Sequence, residues 1–88
     1  MIQLFLLLIH PYLMDRAETE KILLEALHVS LNAEGWANLA QIGARLREKN
    51  VKYGKLVKFL HSYSNVVDIR IDETVTPPAV YARPKQSE

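Results

Sequence analysis

The chain has 88 residues, 49% of them hydrophobic and 24% charged, a net charge of +1 and no cysteine. That length allows one domain with one core, and the composition excludes intrinsic disorder. Without cysteine there is neither a disulfide framework nor a thiolate metal site, which favours a reducing, cytoplasmic compartment.

Residues 1–14 open the chain with an apolar run, Ile2, Leu4, Phe5, Leu6, Leu7, Leu8 and Ile9, that stops at His10 and Pro11. A bilayer span needs about 20 apolar residues, and a signal peptide needs a basic start and a small-residue cleavage site, so neither reading fits. Three readings stay open. The run packs on the domain, is the tail of a preceding one, or lies upstream of Met14 as the functional start. With no polar face to offer water, it is expected to be buried against the body or to drive self-association.

The folded domain is expected over 15–84, with 85–88 as a flexible tail. Asp15 is the N-cap of a first helix running to about Asn32, with Glu18 as its capping-box partner. Leu23, Leu27 and Leu31 recur every four residues and, with Ile22, Leu24 and Ala26, form its buried stripe. Gly35 then suits a left-handed turn, and Trp36-Ala37 a brief extended bridge. Asn38 caps a second helix to about Lys49, with Leu39, Ile42, Gly43 and Leu46 on one face. A glycine inside that face costs about 1 kcal/mol of helix propensity, which predicts the close approach of another backbone.

A third helix is expected from about Tyr53 to Ser62, with Leu56, Phe59, Leu60 and Tyr63 inward. At about 100° per residue, Lys55, Lys58 and Ser62 project sideways from that face, and His61 points away from it. Val67, Ile69 and Ile71 alternate with Asp68, Arg70 and Asp72, the period of a half-buried strand, and Ala79 to Arg83 is its partner. The loop 73–78 contains Pro77 and Pro78, which cannot continue a helix or serve a central ladder. The expected fold is therefore α+β: a small winged helix-turn-helix, three helices followed by a β-hairpin wing.

Charge is unevenly spread along this order. Residues 1–44 carry net −3, and residues 59–88 net −1. Between them Arg45, Arg47, Lys49, Lys52, Lys55 and Lys58 face Glu48 alone, net +5. Such a block is either a solvated polar face or a footprint for phosphates.

Four stretches in order follow one pattern: Gly35 to Gly43, Tyr53 to Leu60, Val67 to Ile69 and Val80 to Arg83. Together they resemble the LOTUS domain, also called OST-HTH. The likeness covers residues 17–84 and consists of a glycine-aromatic entry, a second helix with an internal glycine, a lysine-rich third helix opened by Tyr-Gly, and a hairpin ending in Tyr-x-Arg. Two departures stand out: the segment before Tyr53 is shorter than usual, and the apolar start belongs to no part of the family. The resemblance implies a winged helix and a role in RNA metabolism, including G-rich and quadruplex RNA. The chain would act as a specificity or tethering module for an enzyme elsewhere.

The residues themselves do not separate RNA from duplex DNA. Lys52, Lys55 and Lys58 are the first candidates for phosphate contact, with Arg45 and Arg47 extending the patch and Arg70 and Arg83 either adding wing contacts or pairing with Asp68 or Asp72. Tyr53 packs with its hydroxyl outward, within reach of a base or ribose. Trp36, Phe59 and Tyr63 are expected in the core and Tyr81 in strand packing. His10, His28 and His61 show no ligand spacing, and no serine has a nucleophile-elbow context, so no catalysis, metal or cofactor is expected. A protein-docking winged helix using its apolar surface is the alternative.

Overall fold

The structure, a computed structural model, describes residues 15–86. The expected placement of residues 1–14 lies outside the described residues, as do the last two positions of the expected tail. Asp15 caps α1, Arg16–Ser30, by accepting the Glu18 amide at 2.8 Å, and the Thr19 hydroxyl closes the same turn on the Asp15 carbonyl. The helix stops one residue before Leu31, earlier than the apolar spacing predicts. Leu31 turns extended and forms an isolated bridge with Ala37, so sheet pairing takes it out of the helix.

Asn32 then organises the link. Its side-chain oxygen accepts the amides of Glu34 and Trp36, and its own amide donates to the Trp36 carbonyl. Gly35 sits at φ +86°, the left-handed conformation that a side chain strains. The loop delivers the chain into β1, Ala37–Asn38.

Asn38 next caps α2, Leu39–Glu48, accepting the Ala40 amide at 2.8 Å. Asn50, at φ 62°, reverses the chain after it, and the Val51 amide bonds back to the Leu46 carbonyl. The third helix, α3, covers only Leu56–His61, three residues later than the expected start at Tyr53. No side chain caps it, and Val51 to Tyr53 run without regular structure because Val51 is buried and Tyr53 lies against Phe59.

Two strands follow, β2 at Val67–Asp72 and β3 at Ala79–Pro84. They pair antiparallel, with Ile69 opposite Ala82 and Arg70 opposite Tyr81. The sheet is more than the expected hairpin, because β1 pairs with β3 in the register Ala37↔Ala82 and gives the order β1-β3-β2. Two residues are too few to show a strand period, so only the pairing reveals β1. Beyond β3 the Lys85 amide donates to the Val66 carbonyl, which ties down the first residue of the expected tail.

The result is an α+β chain of three helices and a three-stranded antiparallel sheet. Leu23, Leu27, Ile42, Leu46 and Leu60 are fully buried at its centre, each worth about 1.5–3 kcal/mol of burial. The inner sheet face adds Ala37, Val67 and Ala82. Burial fades along β2, so that Ile71, expected inward, is 51% exposed near the hairpin tip. The expectation for Gly43 is corrected in its detail. A Cβ there would meet side chains, with the Tyr53 hydroxyl at 2.8 Å, and not a second backbone.

Candidate nucleic-acid interface

The segment between α2 and the end of α3 carries the basic residues outward because its apolar ones are committed inward. Val51 and Leu60 are buried and Leu56 and Phe59 pack on the core, while Lys52, Lys55, Lys58 and His61 are exposed. No carboxylate among the described residues is paired with Lys52, Lys55 or Lys58. Three exposed basic side chains without a carboxylate partner thus fall within seven positions.

Tyr53 borders this segment with its ring on the core cluster and its hydroxyl set against Gly43 and Arg47 of α2. The ring centre lies 5.8 Å from that of Phe59, which lies 5.2 Å from Tyr63, and the Arg16 guanidinium covers the far end of the row at 4.1 Å. Arg47 donates to the Tyr53 hydroxyl at 2.9 Å. Both line a shallow hollow of about 480 Å³ with Gly43 and Leu56, closed on the far side by Pro78 and Val80.

Arg45 and Arg47 part company, since two positions along a helix put them about 200° apart. Arg45 pairs with Glu48 at 3.6 Å and lines a hollow of about 420 Å³ against Glu25 and Val29 of α1, joined by Lys49. The basic block of the sequence therefore divides. Arg47 stands with Tyr53, whereas Arg45 and Lys49 stand among the acids of α1.

Arg70 and two aromatics form a separate group on the outer face of the sheet. The inner face takes Val67, Ile69, Val80 and Ala82, so the strand period turns Asp68, Arg70, Tyr81 and Arg83 outward. Trp36 joins them. It was expected in the core, but it precedes the fully buried Ala37 and so takes the opposite face. The Arg83 guanidinium sits 4.3 Å from the Trp36 ring centre, and that of Arg70 is 5.0 Å from both Trp36 and Tyr81. Arg83 also lies 3.6 Å from Asp68. The alternation of the hairpin predicts Arg70 and Arg83 outward, with Asp68 as a candidate partner, but sequence reasoning missed Trp36 and Tyr81 beside them.

Asp72 closes the outer face at the hairpin end. The Thr74 hydroxyl and amide both donate to it and hold its carboxyl below the usual carboxylate range, with a smaller pull from Arg70. Among the described residues no three His, Asp or Glu side chains gather as a metal ion would require, and no helix is long and apolar enough to cross a membrane.

No family model and no curated protein matches this chain. It is similar to the solution NMR structure of an uncharacterized protein of Nitrosomonas europaea, with a TM-score of 0.62 and 26% identity over 77% of this chain and 73% of that one. The likeness extends to the architecture and brings no activity with it.

Proposed function

We propose that this chain is a non-catalytic winged-helix module that binds nucleic acid, RNA in the first place, through the exposed face of α3 and the segment leading into it. The element order supports the winged-helix reading. A short strand between the first two helices pairs with the hairpin, and α2 is followed by α3 after the seven-residue segment 49–55. The observation that carries the proposal is the row Lys52, Lys55 and Lys58, exposed and unpaired among the described residues. Each such cation neutralises a phosphate and releases condensed counterions, so three contacts give a salt slope of about −2 on a single strand and about −2.7 on a duplex. Arg47 and the Tyr53 hydroxyl extend the contact by one phosphate and one ribose or base edge. The LOTUS-like pattern adds G-rich or quadruplex RNA as the preferred form, and a role in tethering or selecting RNA for an enzyme elsewhere.

Protein docking is the second reading, favoured by the hollow between α1 and α2, where Val29 is 62% exposed beside Ile22 and Ala26. Fluorescence anisotropy with a quadruplex RNA, an unstructured RNA and a DNA duplex, each at two salt concentrations, separates the two. Salt-sensitive binding with the quadruplex preferred supports the module. No binding to any of the three at low salt ends it in favour of a protein partner.

A further inference from the structure

We propose that the outer face of the sheet is a second contact surface, a stacking platform on which Trp36, Arg70 and Tyr81 receive the unpaired bases of a single-stranded nucleic acid. It rests on the nucleic-acid reading above and adds a contact for unpaired nucleotides, such as single strands or the loops and flanks of a folded RNA. The first support is placement. Two large aromatics stand on the face turned away from the core, half-exposed, where a half-solvated sheet is served by small polar residues. Neither ring belongs to the apolar cluster that the inner face completes.

The second support is geometry. Arg70 and Tyr81 are directly opposed across β2 and β3, and the Arg70 guanidinium is 5.0 Å from the Tyr81 ring and 5.0 Å from the Trp36 ring. With the Arg83 guanidinium 4.3 Å from the Trp36 ring as well, aromatic and guanidinium groups adjoin across this face, and bases stack on planes of either kind. The Asn32 side chain and Gly35 fix the approach of Trp36, so the platform is held by a bonded loop.

Charge supplies the third support. Asp68 is engaged by Arg83 and Asp72 by Thr74, whereas Arg70 is exposed and has no ion pair among the described residues. The middle of the platform therefore carries one guanidinium without an ion pair, lying over two aromatic rings. An unpaired nucleotide matches both features with its base and its phosphate. A duplex matches only the charge, because its base faces are already stacked. A protein carboxylate would likewise satisfy Arg70 and leave the rings unused.

Trp36 is the one tryptophan of the chain, so its emission reports on this face alone. The test is a titration of the full chain with a short unstructured RNA, read by Trp36 emission and by anisotropy of the labelled RNA, with the DNA duplex as the parallel ligand. Quenching that saturates with the anisotropy change is expected for the RNA and not for the duplex. Tyr81→Ala and Arg70→Lys, which keeps the charge and loses the plane, should each weaken RNA binding by about fivefold or more and leave duplex binding within about twofold. Tyr81→Phe should retain RNA binding, which guards against a folding defect in the alanine variant. RNA binding with unchanged Trp36 emission overturns the platform and leaves the α3 reading standing. Quenching that is unaffected by Lys55→Glu/Lys58→Glu, with affinity unchanged, overturns the α3 reading and leaves the platform. Equal loss of RNA and duplex binding in Tyr81→Ala, with a lowered Tm, shows that the cluster only clips the sheet together.

Discussion

Replacing Gly43 by alanine tests how α2 and the segment before α3 are joined. In an isolated helix the change is favourable by about 1 kcal/mol. Here the new Cβ would lie 2.8 Å from the Tyr53 hydroxyl, 3.2 Å from a Leu56 methyl and 3.3 Å from an Arg47 nitrogen. The first contact is too close to survive, so Tyr53 must withdraw and lose its bond from Arg47. Overpacking of this kind costs about 1–3 kcal/mol, and the lost hydrogen bond about 1 kcal/mol. Gly43→Ala should therefore destabilise by about 1–3 kcal/mol net, lowering Tm by roughly 4–8 °C for each kcal/mol in a domain of this size. Removing the hydroxyl with Tyr53→Phe leaves only the two looser contacts, and in that background Gly43→Ala should be neutral or stabilising by up to about 1 kcal/mol. Urea denaturation of the four proteins gives the coupling directly. A stabilising Gly43→Ala in the unaltered chain, with no coupling to Tyr53→Phe, would refute the packing described for this hollow.

Two further outcomes follow from the caps and the hairpin. Asn38→Ala removes the oxygen that accepts the Ala40 amide and should cost about 1 kcal/mol in urea denaturation, while Asn38→Asp should retain most of the stability. Asp72 has a folded-state pKa below its ordinary value of 3.8, so its stabilising contribution is present above that value and is lost as pH falls through the folded one. Asp72→Ala should accordingly be less stable than the unaltered chain at neutral pH, with a gap that closes under acid below about pH 4. A gap independent of pH across acid denaturation curves would contradict the Thr74 hydrogen bonds as its cause.

The parts of this fold that were legible in the sequence are those decided within a few residues. Asp15 and Asn38 cap their helices through side-chain oxygens acting two or three positions ahead, and Gly35 turns the chain where its neighbours cannot. The alternation of β2 and the partner strand β3 was equally local. What escaped was decided by distant partners. Tyr53 is drawn out of helix by Phe59 and Arg47, and Leu31 by its bridge to Ala37. β1 has too few residues to show a period, and the face that Trp36 takes depends on how Ala37 pairs with Ala82. The candidate site shows the same division. The exposure of Lys58 was readable from helical spacing, whereas Lys55 stands in the extended cap before α3, and the separation of Arg45 from Arg47 needed Glu25 and Tyr53 in place.

The most direct test of the nucleic-acid reading is the salt dependence of RNA affinity in the unaltered chain and in Lys55→Glu/Lys58→Glu, read by anisotropy. With Lys52, Lys55, Lys58 and Arg47 in contact, the account predicts a log–log slope of about −2.8 that becomes shallower by about 1.4 in the double variant, with affinity at low salt reduced at least about tenfold and Tm unchanged because both side chains are exposed. An unchanged slope and affinity in a folded double variant would contradict it, and would take the phosphate contacts away from α3.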